Sequence, residues 1–304
     1  MKTIENMGSP FDSGKPLIFK SLSDGGPKRY LDSWPDASVT GEQVYLSDST
    51  DYSTRRGTHF QAFKLSDGAY SLRSMSPGPK RYLDSWPTVT SSNTVYLSES
   101  DDADKRIGTH WIPLYLGDGT YALQSKAIGG PKIYLDSWPT QPDMKETVYL
   151  SDSTDPGKRI GTHWMVGVEW YTGSEVQHIL SVNYPGVNIQ LYKADAKYRA
   201  MEYHVLKTIW DNSGLDKLVW KPEKFDCDDF AVCFKAEVGK WCYHKEGSVP
   251  EACLCGIIWG TKTGEQQGHA FNFSVDPFGK LLLIEPQTGS TIPTDEWTPY
   301  FCMC

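Results

Sequence analysis

Three side chains in the C-terminal half have the types and the order that nucleophilic catalysis requires. Cys227 lies at the expected start of a helix in the phrase FDCDDF, His269 opens an apparent strand in GHAFNF, and Glu285 ends the next strand in LIEPQTG. A thiol at a helix N-terminus faces the positive end of the helix dipole, which lowers its pKa towards the reactive thiolate. A histidine base followed by a carboxylate that orients it completes the papain-like chain order. The pattern predicts a cysteine nucleophile.

The acidic residues around Cys227 work against this activation. Asp226, Asp228 and Asp229 would raise the pKa of the thiol unless a histidinium or a bound cation compensates. Three alternatives stay open: the aspartates stabilise a helix N-terminus, His269 is a hydrogen-bonded core histidine, or Cys227 is an inert buried thiol.

Helices and strands must position these side chains. Apolar residues at helical spacing predict one helix that ends at Asn212-Ser213-Gly214 and a second that starts near Asp226. The residues that carry the two patterns are Tyr198, Met201, Val205, Ile209 and Trp210 in the first, and Phe230, Phe234 and Val238 in the second. Strands are expected at 252–259, 269–275 and 281–284, so this half is predicted to be a compact α+β domain.

The N-terminal half consists of three copies of one unit. The phrase YLDSWP starts at Tyr30, Tyr82 and Tyr134, and each copy is followed by VYLS and then by GTHF or GTHW. The aspartates of successive copies are 52 residues apart. Short strand-like runs separated by turn residues give four strands a unit, and three units around a pseudo-threefold axis can close a barrel without free edges. An all-β fold is predicted here.

The order of these phrases resembles the ricin-type β-trefoil lectin repeat over roughly residues 10–166. The chain departs from that family at the Gln-x-Trp position, where the aromatic residue is kept and the glutamine is lost. The resemblance implies that an aspartate of each unit binds sugar hydroxyls while a tryptophan two positions on stacks on the sugar ring. The implied carbohydrate-binding residues are Asp32, Trp34, Asp84, Trp86, Asp136 and Trp138.

A purely structural interpretation of the same residues stays open. The tryptophans would cap the barrel, and the aspartates would cap the Ser-Trp-Pro turn. For His59, His110 and His163 we expect packing beside the barrel aromatic residue.

Six phrases in the second half, among them IWDNSGL, FDCDDFAV, GHAFNF and IEPQTG, resemble the protease half of the Marasmius oreades agglutinin-type fungal chimerolectins. These proteins join a β-trefoil lectin to a papain-like cysteine protease. The resemblance covers about residues 203–292 and implies that Cys227 is the nucleophile, His269 its base and acid partner, and Glu285 the residue that orients the imidazole. Trp220 matches a tryptophan beside the active site.

The same resemblance implies calcium dependence and a homodimer. Asp228 and Asp229 match the acidic pair next to the family's nucleophile, and hard carboxylate oxygens suit calcium. A cation there would also offset the negative charge around Cys227. The trefoil phrases differ from those of the agglutinin, so its sugar specificity is not carried over.

Length and composition limit the number of domains and the kinds of partner that can be expected. A chain of 304 residues allows about two domains, for which we predict residues 1–166 and, with the linker, 167–304. A net charge of −8 argues against nucleic-acid partners. The N-terminal residues lack the apolar region of a secretory signal, so we expect a cytoplasmic protein that acts on external glycosylated targets after release or ingestion, with membrane contact only through glycans.

Cysteine usage points to free thiols. All seven cysteines fall in the last 78 residues, and an odd number without a signal sequence argues against a disulfide framework. A metal site formed by Cys253, Cys255, Cys302 and Cys304 is a minor alternative.

The combined expectation is a glycan-binding lectin fused to a calcium-dependent cysteine endopeptidase, with a cytotoxic defence role. Its partners would be glycans on glycoproteins or glycolipids and a protein or peptide substrate. One rival is a multivalent lectin whose papain-like domain is inactive and serves dimerisation. Another is acyl transfer of the transglutaminase type on the same residues.

Overall fold

A computed structural model describes residues 8–23, 26–27, 29–34, 43–52, 54–86, 94–138, 147–244, 251–263 and 268–304. Pro35, Pro87 and Pro139, which end the three YLDSWP phrases, lie outside these residues. The described chain forms two compact units, 8–168 and 169–304, which divide two residues beyond the predicted boundary. No helix of the described residues has both the length and the apolar character needed to cross a membrane.

The described residues of the first unit form twelve strands and two short α-helices. The strands are β1 (Pro16–Ser21), β2 (Tyr30–Trp34), β3 (Gln43–Ser47), β4 (His59–Lys64), β5 (Tyr70–Ser74), β6 (Tyr82–Trp86), β7 (Thr94–Ser98), β8 (Trp111–Tyr115), β9 (Tyr121–Ser125), β10 (Tyr134–Trp138), β11 (Thr147–Ser151) and β12 (Trp164–Val168). The helices are α1 (Ala103–Arg106) and α2 (Pro156–Arg159).

Strand pairing shows that this unit is a β-trefoil. Antiparallel pairs join β1 to β4, β4 to β5, β5 to β8, β8 to β9, β9 to β12 and β12 back to β1, which closes a six-stranded barrel. The hairpins β2–β3, β6–β7 and β10–β11 extend from β1, β5 and β9. The three hairpins also meet one another. The predicted threefold all-β architecture is confirmed.

The aromatic residue of each GTHF or GTHW phrase lies in the barrel core. Phe60, Trp111 and Trp164 are fully buried. The indole nitrogen of Trp111 donates to the Leu83 carbonyl at 2.9 Å, and that of Trp164 donates to the Leu135 carbonyl at 3.0 Å. Each tryptophan thus links its barrel strand to the YLDSW strand of its own unit.

The histidines of these phrases are buried and have structural partners. His110 Nδ1 contacts Asp67 Oδ2 at 2.7 Å, and its Nε2 contacts the Asp101 carbonyl at 2.9 Å. His163 repeats this arrangement with Asp118 and the Thr154 carbonyl. His59 is buried beside Thr58 and Tyr52.

In the part of the second unit that the structure describes, two sheets combine with three α-helices. Its elements are β13 (Trp170–Thr172), α3 (Gly173–Asn183), β14 (Gln190–Tyr192), β15 (Lys197–Arg199), α4 (Tyr203–Ser213), α5 (Cys227–His244), β16 (Ala252–Cys253), β17 (Gly256–Lys262), β18 (Gly268–Val275), β19 (Leu281–Glu285), β20 (Ser290–Ile292) and β21 (Trp297–Met303). One sheet has the order β14-β21-β17-β18-β19-β20 and the other β13-β15-β16.

Two sequence expectations for this unit need correction, and one minor alternative is not supported. Tyr198 belongs to strand β15, where it pairs with Tyr171, and the first helix starts only at Tyr203. The predicted strand 252–259 is two strands, β16 and β17, in different sheets. The cysteine metal site is not formed: among the described residues, the only ligand group of three or more is Asp226, Cys227 and Asp228.

Other expectations for the second unit are confirmed. The first helix ends at Ser213 and is capped by Gly214, which has the left-handed conformation with φ +76°. The second begins at Cys227 and buries Phe230, Phe234 and Val238. The apolar face of α5 therefore fixes the direction in which its first residue points.

Gly57 is a sensitive position of the trefoil, because its backbone lies against the first hairpin. A Cβ atom there would overlap the carbonyl oxygen of Ser33 and the carboxylate of Asp32. We expect Gly57→Ala to lower the free energy of unfolding of the trefoil by about 1–3 kcal/mol or more, since backbone must move to relieve the overlap. Calorimetry of the full chain would measure this as a lower temperature for the trefoil transition.

Gly239→Ala is the matched control. Gly239 lies within α5, and a Cβ atom there meets nothing within 4 Å. This substitution should leave the trefoil transition unchanged. An unchanged transition in Gly57→Ala would contradict the packing described here.

Candidate functional site

Helix α5 places Cys227 against the central sheet of the second unit. The helix is capped at its start, where Asp229 Oδ2 accepts the backbone N–H of Asp226 at 3.1 Å. Cys227 and Ala231, one turn apart, pack with Ile257 of β17 and Ala270 of β18. The backbone N–H of Ala270 donates a hydrogen bond to the Cys227 thiol. The candidate nucleophile therefore contacts the residue next to His269.

His269 and Glu285 meet across neighbouring strands of the same sheet. His269 Nε2 lies 2.7 Å from Glu285 Oε2, and the other carboxylate oxygen accepts the backbone N–H of Gln287 at 3.2 Å. Nδ1 is thus the ring nitrogen left for proton exchange with a nucleophile. The backbone of Gln287 thus helps to hold Glu285 in place.

The turn after Glu285 is supported by helix α4. The indole nitrogen of Trp210 donates to the Pro286 carbonyl at 2.7 Å. The Trp210 ring also packs so closely on Gly289 that a Cβ atom there would overlap it, and Gly289 has φ +69°. The phrases IWDNSGL and IEPQTG are therefore parts of one support for the candidate carboxylate.

Trp297, at the start of β21, is a site residue that the sequence analysis missed. Its ring lies 5.4 Å from the His269 ring at an interplanar angle of 35°, and 5.0 Å from the ring of Phe271. The aromatic face beside the imidazole limits the rotation of the His269 ring. Only the strand pairing of the C-terminal tail brings Trp297 here.

Burial outweighs the helix N-terminus in setting the protonation of Cys227. Burial raises the pKa of the thiol, and the negative charges of Asp226 and Asp228 raise it further. Hydrogen bonds from the N–H groups of Ala270 and Asp228 act in the opposite direction. The lowered pKa expected from the helix position alone is therefore not found, and the thiol needs a base or a nearby cation to ionise near neutral pH.

Asp228 and Asp229 have different positions in the structure, although the sequence analysis expected both to bind calcium. Ligand atoms of Asp226, Cys227 and Asp228 lie within 4.8 Å of one another. The hydrogen bond that the protonated Asp228 carboxyl donates to Asp226 raises the pKa of Asp228, and burial raises it further. Asp229 caps the helix instead, as the structural alternative proposed. Asp226 was not among the predicted metal ligands, although its place beside the cysteine could have suggested it.

Trp220 lies in the segment before α5. Its side chain is 46% exposed, next to the exposed Leu218 and Val219. Within the described residues, no hydrogen bond or ring contact joins Trp220 to Cys227 or to His269.

The aspartates expected to bind sugar are buried beneath the surface. Asp32, Asp84 and Asp136 are each 1% exposed. In each unit one carboxylate oxygen accepts the backbone N–H of the next residue at 2.7 Å. The glycine of the following GTH phrase covers the carboxylate, and burial raises the pKa of all three groups. Direct contact with a sugar is therefore not supported, and the turn-capping alternative fits better.

The tryptophans two positions on are accessible. Trp34, Trp86 and Trp138 are 56%, 58% and 59% exposed at the ends of their strands. In the first unit, Tyr45 lies opposite Asp32 in the hairpin, and Arg55 Nη1 lies 3.9 Å from Asp32 Oδ2. Burial and the Asp32 charge raise the pKa of Tyr45 to about 12, so its hydroxyl stays protonated.

The other two units repeat this polar arrangement. Tyr96 is close to Asp84 and Arg106, and Tyr149 is close to Asp136 and Arg159. The buried carboxylates thus anchor a tyrosine and an arginine on the side of each hairpin that carries the exposed tryptophan.

Comparisons with known proteins agree with the two-part architecture. Residues 198–291 match the family model described as Agglutinin C-terminal. A crystal structure of Polyporus squamosus lectin, bound to the human-type influenza-binding epitope Neu5Acα2-6Galβ1-4GlcNAc, is 22% identical with a TM-score of 0.52. A PSL1a–E64 complex is 21% identical with a TM-score of 0.51. Each alignment covers 96% of this chain and 99% of the other. At these identities the likeness concerns the fold. No curated protein sequence gives a significant match.

Asn272 holds α5 against the sheet that carries His269. Its buried amide nitrogen donates to the carbonyls of Ala231 in α5 at 3.0 Å and of Gly256 in β17 at 3.2 Å. We expect Asn272→Ala to lower the free energy of unfolding of the second unit by about 1–3 kcal/mol, because two buried carbonyls lose a partner. Urea unfolding monitored by tryptophan fluorescence would measure the loss.

Asn212→Ala provides the comparison. The Asn212 amide also donates to a backbone carbonyl, that of Thr208 at 2.7 Å, but at an exposed position. Its loss should change the free energy of unfolding by no more than about 0.5 kcal/mol. Equal effects of the two substitutions would show that Asn272 does not fix the helix.

Proposed function

We propose that this protein binds glycans through its β-trefoil and hydrolyses peptide bonds with its second unit, a papain-like cysteine peptidase. The single observation that carries the enzymatic part is the arrangement of Cys227 at a helix start, beside Ala270, with His269 held by Glu285 at 2.7 Å. Nucleophile, base and orienting carboxylate are the three parts that acyl transfer from a peptide requires.

The proposed reaction uses these three side chains in turn. Cys227 Sγ attacks the peptide carbonyl carbon while its proton passes to His269 Nδ1. The tetrahedral intermediate collapses as the C–N bond breaks, and the leaving amine takes the proton from the imidazolium. Water then attacks the thioester with His269 as base, which releases the acid and restores the thiol. Glu285 stabilises the imidazolium in both halves through Nε2.

Substrate contacts are proposed on the exposed segment ahead of the nucleophile. Leu218, Val219 and Trp220 present apolar surface to solvent. Such a surface suits an extended peptide with apolar side chains.

Calcium is included in the proposal on the chemistry of the residues beside Cys227. The carboxylates of Asp226 and Asp228 are close enough to share one cation, and hydrogen bonding and burial already disfavour the charge on Asp228. Carboxylate oxygens are the ligands that calcium prefers. A bound cation would supply positive charge that lowers the pKa of the Cys227 thiol.

A second candidate function is supported by the raised pKa of Cys227. A catalytically inactive domain would also contain a protonated thiol between two carboxylates. In that case the protein would be a multivalent glycan-binding protein. Reaction of Cys227 with E64, an epoxide that alkylates nucleophilic thiols, separates the two candidates.

Glycan binding is proposed at the three hairpins. An exposed tryptophan offers a flat apolar face for a sugar ring, and the tyrosine and arginine beside it offer hydrogen bonds. Repetition in three units gives avidity on a glycan-dense surface even if each site binds weakly. The peptidase would then be delivered to glycosylated targets.

Cys227→Ala tests the enzyme. We expect casein hydrolysis under reducing conditions to fall by about 1,000-fold or more, because no other group replaces the nucleophile. Cys233→Ala, on the same helix, should keep the wild-type rate, and peptide mapping should find E64 on Cys227 in the wild type and in Cys233→Ala. Hydrolysis retained in Cys227→Ala would refute the mechanism.

Calcium removal gives a separate prediction. A chelator should slow hydrolysis, and calcium should raise the melting temperature of the wild type but not of Asp228→Asn. A calcium shift that persists in Asp228→Asn would locate the cation elsewhere.

Replacing all three exposed tryptophans should remove glycan binding. Stacking on an aromatic side chain is worth roughly 1 kcal/mol, so each single alanine variant should weaken binding several-fold. The triple variant of Trp34, Trp86 and Trp138 should weaken binding to an immobilised glycan panel by about 100-fold, because avidity is lost as well. The panel should include the sialylated trisaccharide bound by the Polyporus squamosus lectin.

Two controls separate stacking from general damage. Phe63→Ala removes another exposed aromatic residue of the trefoil and should leave binding unchanged. Asp84→Asn preserves the size of a buried side chain and should affect binding less than Trp86→Ala. A larger loss of binding in Asp84→Asn than in Trp86→Ala would instead support direct contact between the aspartate and the sugar.

A further inference from the structure

Two cysteines meet at the end of α5 that is remote from the candidate active site. Cys242 lies in the last turn of the helix, and Cys253 lies in β16. At 1.5 Å a residue along the helix, Cys242 is about 22 Å from Cys227. The proposed peptidase reaction uses neither thiol.

The fold makes the two cysteines neighbours, because α5 contacts β16. The Cys242 thiol donates to the carbonyl oxygen of Glu251, two residues before Cys253, at 3.8 Å. The thiol and the backbone N–H of Cys253 lie close enough to the Cys242 sulfur to influence its ionisation. The contact therefore joins the helix end directly to the strand.

The surroundings make the two thiols unequal. Arg199 pairs with Cys253 in the parallel register of β15 and β16, and its guanidinium lies 3.7 Å from Glu169 Oε1. The hydrogen bonds from Cys253, together with the charge of Arg199, lower the pKa of Cys242 to about 6, against the opposing effects of burial and of Glu251. The same pairing and burial raise the pKa of Cys253.

An ionised thiol with a protonated partner is the arrangement that thiol–disulfide exchange uses. The first thiolate attacks a disulfide, and the second thiol resolves the mixed product.

We propose that Cys242 and Cys253 form a reversible dithiol–disulfide site that exchanges with small disulfides such as glutathione disulfide. The Cys242 thiolate attacks one sulfur of glutathione disulfide and releases one glutathione thiolate. Cys253 then loses its proton and attacks the Cys242 sulfur, which releases the second glutathione. The two protein thiols lose two electrons and two protons, and one glutathione disulfide becomes two glutathione molecules.

The product would tie the last turn of α5 to β16. The closed loop spans residues 242–253, so the disulfide removes conformational freedom from the unfolded chain and stabilises the second unit. The inference does not depend on the proposed function, since the site lies apart from Cys227 and needs no peptide substrate.

The test oxidises the full-length protein with glutathione disulfide, followed by acid quenching and mass spectrometry. We expect a species lighter than the reduced protein by about two hydrogens. Peptide mapping should identify the Cys242–Cys253 link, and dithiothreitol should reverse it. The melting temperature of the second unit should rise by about 5–10 °C on oxidation.

Variants assign the two roles. Cys253→Ser should stop at one glutathione attached to Cys242, and Cys242→Ser should form no link. Cys233→Ser and Cys227→Ala should form the link at the wild-type rate. Because Cys227→Ala lacks the proposed nucleophile, its result separates this inference from the peptidase proposal.

The wild-type measurement decides the matter even if a serine variant fails to fold. A link that maps to another cysteine pair would overturn the proposal. So would glutathione adducts that never resolve, or a link that forms no faster in the native protein than in urea. Faster formation of the Cys242–Cys253 link in the native protein supports it.

Discussion

The contact between His269 and Glu285 is the interaction on which the proposed chemistry of this protein depends. It occupies Nε2 of the imidazole, so only Nδ1 remains to exchange a proton with Cys227. The contact exists because β18 and β19 are neighbours in antiparallel register and because Trp210 fixes the turn that follows Glu285. Residues that are far apart in the chain thus determine the direction of one ring.

The same principle explains the trefoil. Each hairpin encloses an aspartate under the glycine of the next phrase, and the carboxylate is kept from solvent. Burying a carboxylate is unfavourable unless polar groups surround it: a backbone N–H bonds one oxygen of each aspartate, and the tyrosine and the arginine lie near the carboxylate. The unit repeats as a whole because an aspartate without its glycine, tyrosine and arginine would be destabilising. The tryptophan at the strand end remains exposed and can contact a ligand.

Two of the cysteines on helix α5 have surroundings that shift the pKa of their thiols in opposite directions. At its start, burial and two carboxylates keep Cys227 protonated in spite of the helix dipole. Near its end, Cys253 and Arg199 stabilise the thiolate of Cys242. The macrodipole, which would favour the opposite assignment, is worth at most a few tenths to one kcal/mol at accessible positions, and local hydrogen bonds and charges outweigh it. Local partners, more than helix position, therefore decide which cysteine ionises.

The sequence by itself determined the threefold repeat, the strands and barrel aromatic residues of the trefoil, the second helix, and the order of Cys227, His269 and Glu285. These follow from periodicity and from phrases of neighbouring residues, which local sequence records directly. It placed Asp32 and Trp34 on one strand face, but only the loop that carries Gly57 decided that the first is buried and the second exposed. Only the tertiary structure shows that Tyr198 lies in a strand and that Asp229 caps a helix. It also shows that Trp297 lies beside His269 and that Cys253 lies near Cys242. Each of these depends on contacts between segments distant in the chain, and a single sequence does not contain the pairing register that creates them.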